Sequence, residues 1–123
     1  MKDFILVFLG SGLGGCLRYG ISQMHRTHAS GSAFPWSTLL SNLLACLLAG
    51  YLIGKFLPSS GAQEVHLRLL LLIGFCGGFS TFSAWSVETV QLFRNGMAWL
   101  ACLYMILSMA AGFVSVWIFT RNA

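Results

Sequence analysis

Between Gly74 and Glu88 the chain sets four hydroxyls, Ser80, Thr81, Ser83 and Ser86, around the rings of Phe82 and Trp85. Hydroxyls donate hydrogen bonds, and an aromatic ring carries a positive edge around a negative face. Donors and ring edges turned toward one point can replace water around a small anion. Phe82 and Trp85 are three residues apart, so on a helix they share a face. Gly74, Gly77 and Gly78 lie just ahead and are expected to break the helix. In hydrocarbon, backbone groups freed by a break have no water to bond, so a break survives only inside protein or along a polar path. The segment therefore points to an ion site or pore near the bilayer midplane.

Other segments offer matching groups. Asn42 is the only amide side chain deep within an apolar run, and Thr38 sits one turn earlier on the same face. Burying an unpaired amide in hydrocarbon costs on the order of several kcal/mol. Asn42 must therefore face either a neighbouring helix or a polar path, and the sequence leaves both open. Tyr104, Ser108 and Ser115 form a stripe further on. Serine in membrane helices often only packs, but with Asn42 and the earlier hydroxyls the stripe makes a polar track.

The elements that hold these residues follow from composition. Of 123 residues, 57% are hydrophobic and 8% charged. A soluble domain carries about 25% charged residues, so the chain reads as an all-α integral membrane protein. Its length accommodates about four spans of roughly 20 residues, forming a single transmembrane domain over residues 1–123. Span 1 is expected from about Phe4 to Gln23, followed by a polar stretch from His25 to Ala33. Pro35 and Trp36 open span 2, where proline's missing N–H does no harm. That span ends near Leu57, and Pro58 to Gly61 form a turn. Span 3 runs from about Arg68 to Phe93 with its centre near Ser80 and Thr81, and after the turn Arg94-Asn95-Gly96 span 4 runs from about Ala98 to Phe119. Arg18 and Tyr19 follow the first apolar run without a small-x-small cleavage site, so no cleavable signal peptide is expected.

Charge bears on orientation. Lys2, Lys55, Arg68 and Arg121 fall on one side of the membrane and Arg18, Arg26 and Arg94 on the other. An excess of basic residues normally fixes orientation, and here the two sides nearly balance. Insertion in both directions and an antiparallel homodimer follow, against the plainer reading of one weakly specified orientation. Four thin spans also leave little interior for a pore in one copy, which favours a dimer. The basic residues lie at span ends and read as surface anchors, so no nucleic-acid partner is expected.

Several motifs have plainer readings. Gly10-Ser-Gly12-Leu-Gly14-Gly15 fits a dinucleotide-binding pattern, but no acid occurs between Asp3 and Glu64 to hold a ribose. Gly10-x-x-x-Gly14 instead suits close helix packing in lipid. Cys16, Cys46, Cys76 and Cys102 lack ligand spacing and read as small apolar packing groups. His25 and His28 lie three apart in the first polar stretch, which offers too few ligands for a metal. Trp36, Trp99 and Trp117 fall at span ends, as interfacial anchors do, whereas Trp85 lies deeper.

Three stretches together resemble the small fluoride channels of the Fluc, or CrcB, family. Gly-Leu-Gly-Gly-Cys-Leu-Arg18-Tyr19 is similar to the family's G-x-x-R-[YW] element, and Thr38-Leu-Leu-Ser-Asn42 to its T-L-x-x-N motif. Gly74-Phe-Cys-Gly77-Gly78-Phe-Ser80-Thr81-Phe82-Ser83 resembles its long G-F-x-G-G-[LF]-[ST]-T-F-S signature. The resemblance spans nearly the whole chain. It implies four helices, the third broken near the midplane, in a dual-topology antiparallel homodimer of a bacterial inner (plasma) membrane. It implies two fluoride pores, with Asn42 donating to the ion and Phe82 and Trp85 offering ring edges. Thr38, Ser83, Tyr104 and Ser108 fall on the polar track, beside the hydroxyl of Thr81. The backbone carbonyls of Gly77 and Ser80 match positions that hold a structural sodium ion at the dimer centre, and two chains would supply oxygens suited to a hard cation. Arg18 matches the family arginine, and Glu88 lies toward a pore end. No organic cofactor is implied.

The chain departs from the family pattern at three places. Trp85 stands where phenylalanine is usual, Ala84 where threonine is usual, and Ser80 replaces a common threonine. The first two bear on local anion geometry. Ser80 keeps the carbonyl that matters.

The expected activity is passive conduction of fluoride, not an enzymatic reaction. Fluoride is small and strongly hydrated, so a pore must replace its water with many donors and avoid a fixed charge that traps it. A drug/proton exporter of four antiparallel spans is the main rival, but it needs a membrane-buried carboxylate. Only Asp3 at the edge of span 1 and Glu88 near the end of span 3 come close. A lipid-organising or assembly protein is a second rival, and leaves the hydroxyl-rich break without a role.

Overall fold

Glycines at positions 10, 14 and 78 decide how closely the first and third spans approach. A computed structural model describes residues 1–28, 31–56 and 61–121 of the chain. Its elements are α1 (Lys2–His28), α2 (Trp36–Phe56), α3 (Ala62–Leu67), a π-helix (Arg68–Cys76), α4 (Gly77–Phe79), α5 (Phe82–Arg94) and α6 (Ala98–Thr120). The described residues contain no strand. Among the described residues, four stretches are long and apolar enough to cross a bilayer: Lys2–Thr27, Trp36–Lys55, Glu64–Arg94 and Ala98–Thr120.

The first helix outlasts its apolar run. His25 lies within α1, not in a loop, and the helix continues through His28. Three polar side chains there bond within the helix. Ser22 Oγ donates to the Tyr19 carbonyl at 2.7 Å, Thr27 Oγ1 to the Met24 carbonyl at 2.9 Å, and Gln23 Nε2 to the Tyr19 hydroxyl. The side chain of His28 lies outside what is described.

Span 2 begins at Trp36, directly after Pro35, and carries Lys55 in its last turn, where a cation suits the helix dipole. The turn expected at Pro58 to Ser60 lies outside the described residues. Span 3 begins earlier than its apolar run suggests, at Ala62, because Glu64 accepts the Gly61 N–H at 3.0 Å and caps the new helix.

Span 3 then widens into π turns over Arg68–Cys76, each closing a larger ring than an α turn. This segment and α4 pack along α1. A Cβ on Gly10 would overlap the Leu70 carbonyl oxygen, and one on Gly14 the Phe75 carbonyl oxygen. From the other side, a Cβ on Gly78 would lie 2.7 Å from Ser11 Cα. The Gly10-x-x-x-Gly14 face is thus a packing surface, as its spacing suggests, and its partner is span 3. Span 4 meets span 2 similarly, with Gly50 against the Ser115 carbonyl and Gly54 against Phe119.

The break itself lies beyond the glycines. Gly74 is in the π-helix, and Gly77 has ordinary helical dihedrals (φ −64°, ψ −39°) at the start of α4. The extended residues are Ser80 (φ −80°, ψ 159°) and Thr81 (φ −152°, ψ 118°). The expectation that the glycines form the break is therefore corrected. Gly74 and Gly78 serve close approach to α1, and Gly77 is exposed with open space where a Cβ would go. The chain resumes as α5, with Thr81 as its N-cap: Thr81 Oγ1 accepts the Ala84 N–H at 3.2 Å. Ser80 and Thr81 fall near the middle of the 31-residue span.

Little of the chain is buried by itself. Phe34, Leu92, Ala101 and Tyr104 form one buried cluster, with Trp85 and Leu39 packed on it. Within the apolar windows of the four spans, only 11% to 28% of residues are buried. The remaining apolar surface must meet lipid or protein. Trp36, Trp99 and Trp117 lie exposed near span ends, and Arg121 stacks on Trp117 at 5.6 Å.

Candidate functional site

Asn42, at mid-depth in α2, faces the break and binds it by both atoms of its amide. Oδ1 accepts the Thr81 N–H at 2.7 Å, and Nδ2 donates to the Thr81 carbonyl at 3.2 Å. The two readings of Asn42 thus meet: it bonds a neighbouring helix, and one Nδ2 proton is left over for another acceptor. The contact also changes the backbone. In a continuous α-helix the Thr81 N–H would bond the Gly77 carbonyl four residues back. Asn42 takes that donor. The Ala84 N–H, which would serve the Ser80 carbonyl, goes to Thr81 Oγ1 instead. Both carbonyls singled out from the sequence have lost their helical donors.

Beside the break lies an open cavity of about 420 Å³. Asn42, Thr81, Phe82, Trp85 and Ser108 line it. α5 begins here, capped by Thr81, so the positive end of its dipole lies beside this region. Phe82 and Trp85 share a face as their spacing requires, with ring centroids 5.3 Å apart and planes 28° apart. Phe82 is 78% exposed and held by little else. Ser83 Oγ lies 3.2 Å from Thr81 Oγ1. Ser80 also lines the cavity, and its Oγ donates to the Cys76 carbonyl at 2.9 Å.

A second cavity, about 530 Å³, opens where the last turns of α1 meet the start of α2 and the later turns of α5. Arg18, His25, Arg26, Thr38 and Glu88 are among its lining groups. Glu88 accepts hydrogen bonds from Thr38 Oγ1 at 2.7 Å and from the Tyr104 hydroxyl at 2.8 Å. This three-residue clamp ties α2, α5 and α6 together. Arg18 does not float free in the cavity: its Nε donates to the Gly78 carbonyl at 3.3 Å. Tyr104 links the two cavities. Its hydroxyl reaches Glu88 in one, and its ring lies 6.2 Å from the Trp85 ring that walls the other.

The expected polar track is thus divided. Asn42, Thr81, Phe82, Trp85 and Ser108 come together at the break. Thr38 and Tyr104 join Glu88 instead. Ser115 is buried, and its hydroxyl bonds the Ala111 carbonyl at 2.6 Å. It lies among the close contacts of α6 with Gly50 and takes no part in the cavity.

Residues 5–119 match the family model described as CrcB-like protein, Camphor Resistance (CrcB). The chain belongs to the CrcB family. Among its curated relatives is a protein of Flavobacterium psychrophilum named fluoride-specific ion channel FluC, 36% identical over 95% of this chain and 93% of the relative. Proteins of the same name from Methylobacterium sp. and Coxiella burnetii are 41% and 40% identical over 94% of this chain, covering 91% and 93% of their own lengths. Membership in the CrcB family and the four apolar spans make the chain a multi-pass membrane protein of a bacterium. The relatives carry the name of a channel, not of an enzyme.

Three features of this CrcB-family site are absent from the sequence reading. One is the Glu88 clamp, whose members lie on three different spans. A second is the Arg18 contact with Gly78, sixty residues apart in sequence. The third is the orientation of the Trp85 indole. A Thr directly ahead of an apolar run is an N-cap signal, and Thr81 could have been assigned that role from sequence.

Proposed function

We propose that the chain is a passive, fluoride-selective channel that exports fluoride through two pores of a dual-topology antiparallel homodimer. The observation that carries this reading is the cavity at the helix break. There an amide, hydroxyls, ring edges and a helix N-terminus converge in a chain whose relatives are named fluoride-specific ion channels. Fluoride gives up its water reluctantly, and each donor replaces one hydration contact. Asn42 supplies its remaining N–H, Thr81 (with Ser83 bonded beside it) and Ser108 supply hydroxyls, and Phe82 supplies a ring edge. No Lys or Arg lines this cavity among the described residues, so the ion is not trapped by a fixed charge. Arg18 and Arg26 at the outer cavity raise the local anion concentration before entry.

The dimer reading rests on the near balance of basic residues and on the exposed apolar surface. Phe82 at 78% and Phe113 at 73% exposure flank the cavity, which remains open in one copy and would be completed by a second. The sodium reading rests on the Gly77 and Ser80 carbonyls. Their helical donors are diverted, so each can turn to a cation, and oxygen ligands suit sodium. When bound, the ion would supply a structural link between two breaks.

Purified protein in fluoride-loaded liposomes tests the proposal. Rapid efflux is expected without nucleotide and without a proton gradient, and chloride should leave far more slowly. Similar rates for the two anions would overturn selectivity. Efflux that requires a proton gradient would favour an exporter working through Glu88.

A further inference from the structure

Two residues that line the break cavity each carry a buried polar atom with no hydrogen-bond partner among the described residues: Trp85 Nε1 and Ser108 Oγ. An indole N–H can only donate. Left unpaired in an apolar surrounding it carries a penalty, and nearly all buried donors in folded proteins have a partner. Tyr104, the ring neighbour on its inner side, has committed its hydroxyl to Glu88. Asn42, the nearest amide by cavity lining, has its oxygen committed to Thr81. Neither of them bonds the indole N–H.

We infer that the Trp85 indole N–H is itself an anion donor, meeting dehydrated fluoride together with the Ser108 hydroxyl. The inference rests on the fluoride-channel reading and deepens it. The sequence assigns Trp85 a ring edge, as a phenylalanine would offer. A ring edge is a weak, diffuse positive surface, whereas an N–H is a directed donor, and a hydrogen bond to a charged partner is about twice as strong as a neutral one. Phe82 stacks over the indole, so its ring must swing aside to admit an ion to a donor that water does not reach.

The test replaces Trp85 by 3-benzothienylalanine, which keeps the bicyclic shape and exchanges the N–H for sulfur. Trp85→Phe serves as a second variant should that protein assemble poorly. In liposomes, the fluoride concentration for half-maximal flux is expected to rise about tenfold in both, as loss of one charged hydrogen bond implies. In parallel, the ¹⁵N-indole resonance of Trp85, assigned by its loss in Trp85→Phe, should shift on fluoride titration and stay fixed with chloride. An unmoved resonance, or an unchanged half-maximal concentration in the benzothienyl protein, would overturn the inference while leaving the channel reading intact. Failure of the unmodified protein to pass fluoride would remove both.

Discussion

Asn42 holds both faces of the Thr81 backbone, accepting its N–H at 2.7 Å and donating to its carbonyl at 3.2 Å. One side chain on α2 thus sets the conformation of a break in span 3 that the local sequence alone would close into helix. The side chain that shapes the break also lines the cavity beside it.

Asn42→Asp keeps an acceptor for the Thr81 N–H but removes the donor and adds charge. A carboxylate would then face the Thr81 carbonyl and any passing anion, and such repulsion is strong at low local dielectric. Near-complete loss of fluoride efflux is expected, with the protein still eluting as its parent does on size exclusion. Efflux close to the parent's would take Asn42 off the ion path.

At Trp85, two substitutions separate the ring from the bulk. Phenylalanine retains a positive edge, so Trp85→Phe should keep most of the maximal flux while needing more fluoride to reach it. Isoleucine fills space without a quadrupole, and Trp85→Ile should lose most flux at every concentration. Liposome efflux at matched protein density distinguishes them. Equal maximal flux in the two would make the ring a packing element only.

Gly14→Val tests the contact between α1 and span 3. A side chain at this buried position would run into the Phe75 carbonyl and the Phe79 amide, both backbone groups that cannot rotate away. Overpacking of this kind costs about 1–3 kcal/mol, and the rigid neighbours place it at the upper end. Thermal unfolding in detergent should shift downward, whereas Gly12→Ala, at an exposed position with open space, should not.

Ser80→Ala addresses the proposed sodium site. The Ser80 hydroxyl bonds Cys76 rather than the break, and the proposed ligand is the backbone carbonyl. Sodium should therefore bind Ser80→Ala nearly as it binds the parent. Loss of the ion from a crystal structure with the backbone unmoved would assign the site to the side chain.

Orientation is checked by labelling. In a background without Cys16, Cys46, Cys76 and Cys102, one cysteine introduced at Asn95 should react from outside in about half of the copies, because basic residues barely favour either side. Reaction of nearly all copies, or nearly none, would mean a single orientation.

Much of this arrangement was legible in the sequence, and its gaps have physical causes. Span number and the midplane position of Ser80 and Thr81 follow from apolar run length, which hydrocarbon thickness constrains strongly. Asn42 stood out because an amide at that depth must have a partner. The glycines misled because sequence does not distinguish two uses of a missing Cβ. Gly77 and Gly78 resemble a conformational break, yet both are helical, and Gly78 is small because Ser11 lies against it. The π-helix had no signal, since Leu69 to Ile73 are apolar whichever period they follow. The Glu88 clamp joins three spans, and such proximity emerges only when helices pack. Trp85 was visible as an unusual residue, but the isolation of its N–H belongs to its surroundings.

The Ser80 carbonyl and the Thr81 N–H are two ends of a single peptide group, planar and rigid by resonance. Asn42 holds the nitrogen end, and the oxygen end points the other way. A cation drawn to that oxygen would pull electron density across the amide and make the N–H a stronger donor to Asn42. If sodium binds that carbonyl as proposed, its presence would be felt at Asn42 as polarisation of one peptide bond, with no atom needing to move.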